Sequence, residues 1–87
     1  MTTKEVLNKL HDAGVYPDTL SKSNGIFTYR VGFYYTHGQT AGTHVARVKT
    51  ALPDAVVLDS GEMWKPFRGG ASVANQSHWY VKFEVKD

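Results

Sequence analysis

The stretch "HWYVKFEVK", residues 78–86, alternates apolar and polar side chains along its length. Since successive side chains of a β-strand point to opposite faces of a sheet, this period of two predicts a strand with one buried face. The core side would consist of Trp79, Val81, Phe83 and Val85. The other side would carry His78, Tyr80, Lys82, Glu84 and Lys86. A strand with so many bulky apolar residues on one side requires partner strands and a covering layer.

Residues 26–36, "IFTYRVGFYYT", alternate in the same way and predict a second strand. Its core side would hold Phe27, Tyr29, Val31, Phe33 and Tyr35. Its opposite side would hold Thr28, Arg30, Gly32, Tyr34 and Thr36. A further strand is predicted at residues 55–60, "AVVLDS". The segment 61–77 would then join the last two strands, and this is long for a hairpin connection.

The first predicted helix spans about residues 3–13. Thr2 and Glu5 have the spacing of a capping box, in which a hydroxyl and a carboxylate satisfy backbone amides at the helix start. Gly14 is placed to end the helix, since glycine readily adopts the left-handed conformation found there. Residues 15–25 contain a proline and an Asn-Gly pair, and we expect a connection that holds irregular extended pieces.

The second predicted helix spans about residues 41–52, with Thr40 as its cap. Its apolar stripe would consist of Val45, Val48 and Leu52. Its outward-facing side chains would be His44, Arg47 and Lys49. Pro53 and Asp54 end the helix, because proline cannot continue a helical hydrogen-bond ladder. A helix between the strands 26–36 and 55–60 suits a crossover connection, so these two strands are expected to be parallel.

These elements predict a single α+β domain over residues 1–87, with the order α-β-α-β-β. The sheet would have three or four strands, with both helices on one face. A chain of 87 residues has material for one modest core, and a hydrophobic content of 41% is ample for it.

The composition excludes several classes of function. The chain has no cysteine, which removes disulfides, thiolate metal ligands and cysteine nucleophiles together. The net charge of +2 is far from that of an acidic DNA mimic or a strong polycation. No apolar run approaches the ~18 residues of a membrane span, and "MTTKEVLNKL" has the pattern of a helix start rather than a signal peptide. We therefore expect a cytoplasmic protein that does not associate with membranes.

The outward side of the sheet is the first candidate binding surface. Aromatic rings among cations on an exposed sheet suit single-stranded nucleic acid, because rings stack on bases and cations meet phosphates. The alternative is an ordinary solvated sheet face, on which tyrosine, threonine and lysine are common. The candidate nucleic-acid-binding residues are Arg30, Tyr34, His78, Tyr80 and Lys82.

The glycine-rich segment "KPFRGGAS", residues 65–72, is the second candidate. Two glycines permit a close backbone approach to a partner, and the large apolar residues around them favour a loop that is packed in place. The segment lacks the Gly-Lys-Ser/Thr ending of a phosphate-binding P-loop. The alternative is a hairpin loop without a binding role. The candidate partner-binding residues are Trp64, Lys65, Phe67, Arg68, Gly69, Gly70 and Ser72.

Catalysis is not expected. The chain contains histidines, serines and acidic residues, but no spacing selects a triad, a metalloprotease motif or a nucleophile elbow. A metal site from His37 and His78 would need a third ligand that the sequence does not identify. We therefore expect no catalytic residue, no metal and no cofactor.

The segments "GFYYTHGQTA" and "ALPDAVVLDSGEMWKPFRGGASVANQSHWYVKF", within residues 26–86, resemble small uncharacterised proteins of phage and prophage genomes. The resemblance carries no motif of known chemistry. It implies an accessory protein that docks on a host nucleic-acid-handling machine, as inhibitors of restriction and of CRISPR effectors do. The partner would be a host protein or nucleoprotein complex, or single-stranded nucleic acid in the alternative interpretation, and the protein itself a monomer or small homo-oligomer.

Overall fold

A computed structural model describes residues 1–32, 39–63 and 78–86 of the chain. The α+β class is confirmed, with two helices and a four-stranded sheet among the described residues. The element order is α-β-β-α-β-β, which has one strand more than the predicted order. The elements are α1 (Thr3–Asp12), β1 (Thr19–Ser23), β2 (Ile26–Gly32), α2 (Ala41–Ala51), β3 (Val56–Met63) and β4 (His78–Glu84).

The sheet has the strand order β1-β2-β4-β3, and every neighbouring pair is antiparallel. Because β4 is antiparallel to both β2 and β3, these two strands run in the same direction. The predicted parallel direction is therefore correct, but β2 and β3 are not hydrogen-bonded neighbours. The crossover through α2 leaves a gap one strand wide, and β4 fills this gap.

Residues 15–25, predicted as a connection with irregular extended pieces, contain the regular strand β1, which is the fourth strand of the sheet. It pairs with β2 in a hairpin whose two-residue turn is Asn24-Gly25, with φ of 51° and 79°. Positive φ at both central residues is the geometry that makes Asn-Gly a strong hairpin signal. The strand itself, "TLSKS", is polar and partly exposed at the sheet edge, so no apolar alternation revealed it.

Helix α1 begins and ends as predicted. The Glu5 amide donates to Thr2 Oγ1 at 3.1 Å, and the Thr2 amide donates to Glu5 Oε1 at 2.9 Å. Gly14 has φ of 77° and donates its amide to the His11 carbonyl at 2.9 Å. The capping box and the glycine stop are therefore both confirmed.

Helix α2 begins after Thr40, as predicted, but one of its predicted outward residues is wrong. His44 is completely buried, whereas Arg47 and Lys49 are exposed. The position four residues before Val48 lies on the same helical stripe as that buried residue, so the imidazole enters the core with it. The His44 ring therefore lies in the core, although the sequence pattern predicted it on the surface of the helix.

The core lies between the helices and one face of the sheet, as predicted. The rings of Phe27 on β2 and Phe83 on β4 stack with centroids 5.5 Å apart. The buried apolar members of this cluster are Val6, Leu10, Val15, Phe27, Tyr29, Val31, Val48, Leu52, Ala55, Val81 and Phe83. Neither described helix is long and apolar enough to cross a membrane.

Replacing Phe83 by alanine tests the assignment of this face. The ring is fully buried against Phe27, so Phe83→Ala should lower the free energy of unfolding by ~3–5 kcal/mol. Lys82→Ala, on the exposed side of the same strand, should change it by about 0.5 kcal/mol or less. Urea denaturation followed by circular dichroism measures both. Equal losses for the two variants would contradict the assignment. The matching expectation for Phe33 lies outside the described residues.

Candidate functional site

The face of the sheet opposite the helices brings three of the predicted nucleic-acid-binding residues together. Arg30 on β2 lies directly opposite Tyr80 on β4, and Lys82 lies two residues further along β4. Lys82 is exposed, whereas Arg30 and Tyr80 are partly exposed. His78 does not belong to the exposed set, because it begins the central strand between its neighbours on β2 and β3 and is only 2% exposed. Tyr34 lies outside the described residues.

Tyr80 is held in place by β3. Its hydroxyl donates to Asp59 Oδ2 at 3.1 Å, and this bond is the main cause of a raised pKa for the Tyr80 phenol. The register places Gly61 opposite Tyr80, and a Cβ atom added at Gly61 would lie 3.4 Å from the Tyr80 hydroxyl oxygen. The hydroxyl end of the ring therefore lies against the glycine, which has no side chain to displace it.

Strand β3 adds an exposed apolar strip that was not predicted. Val56 is 50% exposed, Leu58 48% and Met63 37%. A register irregularity between Val57 and Asp59 inserts Leu58 as an extra residue and places Asp59 opposite Lys82. Because Val57 pairs on the core side with Phe83, the irregularity leaves both Leu58 and Asp59 on the open face.

The predicted partner-binding residues Trp64, Lys65, Phe67, Arg68, Gly69, Gly70 and Ser72 lie outside the described residues. The two positions that flank their segment are described. Met63, the last residue of β3, pairs with His78, the first residue of β4. The two flanking residues therefore lie together at one end of the sheet, where the apolar strip of β3 finishes.

A cavity of about 420 Å³ lies on the helix side of the sheet. It opens between β2, the first part of α2 and the connection from α1 to β1. At its wall, the Tyr29 hydroxyl and His44 Nδ1 form a buried hydrogen bond of 2.9 Å. The lining residues are Gly14, Tyr16, Pro17, Asp18, Tyr29, Val31, Gln39, His44 and Arg47.

The residues of the cavity were not predicted as a site. Tyr29 was assigned to the core, His44 and Arg47 to the helix surface, and Asp18 to a connection. A weak signal was present in the sequence, since His44 shares a helical stripe with Val48 and a buried histidine needs a polar partner. Nothing local indicated that the partner would come from β2.

The charge state of the Tyr29–His44 pair follows from its burial. Burial, followed by the nearby positive charge of Arg47, lowers the pKa of His44 to about 4. Burial raises the pKa of Tyr29 to about 12, with Asp18 adding to the rise and Arg47 opposing it. At neutral pH both groups are uncharged, so the pair acts through hydrogen bonds.

Asp18 fixes the connection that forms one side of the cavity. Its Oδ2 accepts a hydrogen bond from the Gly32 amide at 2.7 Å, and its own amide donates to the Arg30 carbonyl at 2.9 Å. These bonds attach the connection to β2 directly before β1 begins. In the described ranges, no three histidine or acidic side chains lie close enough together to hold a metal ion.

Comparison of the chain with protein-family models, curated proteins and solved structures found no match. Function is therefore argued from the geometry of the open face and of the cavity.

The buried histidine should make stability depend on pH. The folded pKa of His44, about 4, is below its ordinary value of 6.5. Well above pH ~6.5 the His44 ring is neutral in both the folded and the unfolded state, so its titration does not change the free energy of unfolding. As the pH falls from ~6.5 to ~4, protonation of the unfolded chain should remove on the order of 3 kcal/mol of stability.

Urea denaturation at pH 7 and pH 4 measures this loss. His44→Gln should reduce it, whereas His11→Gln, at an exposed position of α1, should retain it. An NMR titration of the His44 ring gives the pKa directly in the wild-type protein. A value near 6.5 would contradict the burial argument.

Proposed function

We propose that the protein is a non-enzymatic binding module that docks on a host nucleic-acid-handling protein and blocks or redirects it. The observation that carries the proposal is the exposed apolar strip of Val56, Leu58 and Met63 on the open face of β3. Large apolar side chains gathered along one strand are typical of interaction surfaces, because their burial on docking is favourable.

The geometry around the strip suits a protein partner. β3 is an edge strand of the described sheet, so its outer backbone groups are available to pair with an extended segment. Tyr80 lies on the strand next to the strip and Arg30 lies one strand further, and tyrosine and arginine are frequent anchors of protein interfaces. Asp59, between Leu58 and Met63 on β3, and Lys82, opposite it on β4, add one negative and one positive charge to this surface.

We propose that the segment that follows β3 contacts the same partner. It contains the predicted anchors Trp64, Phe67 and Arg68, and its flanking residues Met63 and His78 lie at the end of the strip. Arg68 offers a planar fork of donors for a carboxylate or phosphate of the partner, a geometry that lysine lacks. The remaining proposed contacts of this segment are Lys65, Gly69, Gly70 and Ser72.

The class of partner follows from the phage resemblance and from the charge. The resemblance to phage accessory proteins implies a partner in the host cytoplasm that is either nucleic acid or a host machine. A net charge of +2 does not suit mimicry of DNA, so contact with a protein surface is the favoured mode of inhibition.

A charge placed in the strip should abolish docking. In a pull-down from nuclease-treated bacterial lysate, Leu58→Asp should lose the partner that the wild type captures, because losing a central anchor costs ~2 kcal/mol or more, about 30-fold in affinity. Ala46→Asp introduces the same charge on the exposed side of α2 and should retain the partner. Arg68→Ala should also lose it, while circular dichroism and melting stay near wild type. A partner retained by Leu58→Asp would overturn this docking surface.

Single-stranded nucleic acid is the second candidate, because Arg30, Tyr80 and Lys82 lie together on the open face. The Asp59 carboxylate, bonded to Tyr80, weighs against it, since it would repel a phosphate backbone.

Fluorescence anisotropy with a labelled single-stranded oligonucleotide separates the two candidates. The docking proposal predicts no binding that depends on Arg30 and Lys82. The nucleic-acid alternative predicts affinity that falls steeply with salt and is lost in the Arg30→Ala/Lys82→Ala double variant. Lys49→Ala, exposed on α2, is the matched control. A salt-sensitive affinity that only the double variant loses would favour the nucleic-acid candidate over docking.

A further inference from the structure

The cavity beside α2 has the size of a small-molecule site. Its volume of about 420 Å³ lies within the ~300–1,000 Å³ typical of ligand pockets. It is on the helix side of the sheet, whereas the proposed docking strip is on the open side. A role for the cavity is therefore separate from docking, and each can be tested without the other.

Two polar atoms at the cavity are buried without a hydrogen-bond partner in the described part of the chain. They are His44 Nε2 and Gln39 Oε1, and both residues line the cavity. His44 already uses Nδ1 to bond the Tyr29 hydroxyl, so its ring has one polar atom engaged and one unused. Buried polar atoms are rarely left unbonded in folded proteins. Both atoms are closed off from solvent, so they lie behind the cavity wall and do not bond a ligand held in the cavity.

Arg47 gives the cavity its positive charge. Its side chain is exposed at the rim and forms no hydrogen bond or ion pair with residues 1–32, 39–63 or 78–86. It is close enough to affect the pKa of both Tyr29 and His44. Since those two groups are neutral at pH 7, nothing in the pair neutralises the guanidinium. An oxyanion is the ligand group that a free guanidinium binds best, through paired hydrogen bonds.

Asp18 also lines the cavity, and its carboxylate requires a donor. Its Oδ2 accepts a hydrogen bond from the Gly32 amide at 2.7 Å. A carboxylate fixed in this way repels a second anion, but it accepts a hydrogen bond from a hydroxyl or amine. Tyr16, whose ring packs against His11 with centroids 4.9 Å apart, adds an exposed aromatic surface to the lining.

We propose that this cavity binds a small aromatic molecule that carries an oxyanion at one end and a hydrogen-bond donor at the other. Arg47 binds the carboxylate or phosphate, Asp18 accepts from the donor, and the ring lies against Tyr16.

Titration of the labelled protein in ¹H–¹⁵N NMR spectra tests the proposal with defined probes. The probes are 4-hydroxybenzoate for the carboxylate, 4-hydroxyphenyl phosphate for the phosphate and 4-hydroxybenzyl alcohol as the neutral control, and all three keep the 4-hydroxyl donor. Shifts should concentrate at residues 14–18, at Gln39 and at the His44 ring. The anion that binds more tightly identifies the oxyanion class, and the neutral alcohol should bind much more weakly than either.

Arg47→Gln should weaken binding of the preferred probe by about 10- to 100-fold, the usual cost of losing a charge-assisted hydrogen bond. Lys49→Gln removes an exposed cation from the same helix without touching the cavity, so it should bind as the wild type does. Both changes are at exposed positions, and melting checks that each variant is folded. Absence of shifts with both anions, equal binding of the alcohol, or equal weakening by the two variants would overturn the proposal.

Discussion

The pairing of β4 with two neighbours is the constraint on which the rest of the structure depends. Strand β4 forms antiparallel ladders with β2 on one side and β3 on the other. Its alternation places Val81 and Phe83 under the helices and Tyr80 and Lys82 on the opposite face. Since β2 and β3 make no ladder with one another, loss of β4 pairing would divide the sheet. The stack of Phe83 on Phe27 then ties this central strand to the core.

The two faces of the sheet consequently have different chemistry. The helix side is closed by apolar packing except near the start of α2, where the cavity holds a neutral tyrosine–histidine pair between Asp18 and Arg47. The open side has no described helix over it, and it exposes apolar, aromatic and charged side chains, such as Leu58, Tyr80 and Lys82. Docking of a macromolecule and binding of a small molecule are therefore proposed on opposite faces, and neither excludes the other.

His44 illustrates how tertiary contacts overrule a local pattern. A histidine in a helix with charged neighbours is predicted to be a surface residue, because polar side chains are seldom fully buried. In the structure the Tyr29 hydroxyl bonds one ring nitrogen, and the imidazole packs against Trp79 with ring centroids 6.3 Å apart. The hydrogen bond offsets part of the cost of burying a polar ring. That partner is fifteen residues away in sequence, beyond the reach of any helical period.

Sequence alone determined the elements whose signals are local. The period of two in β2 and β4, the capping box of α1 and the glycine after it each depend on residues within a few positions, so they were predicted correctly. The polar strand β1, the position of β4 between β2 and β3, and the irregularity that exposes Leu58 depend on contacts between distant segments. The same is true of the cavity, whose lining comes from four separate parts of the chain. Only the tertiary structure decided these features, because strand pairing and burial are set by which segments meet in space.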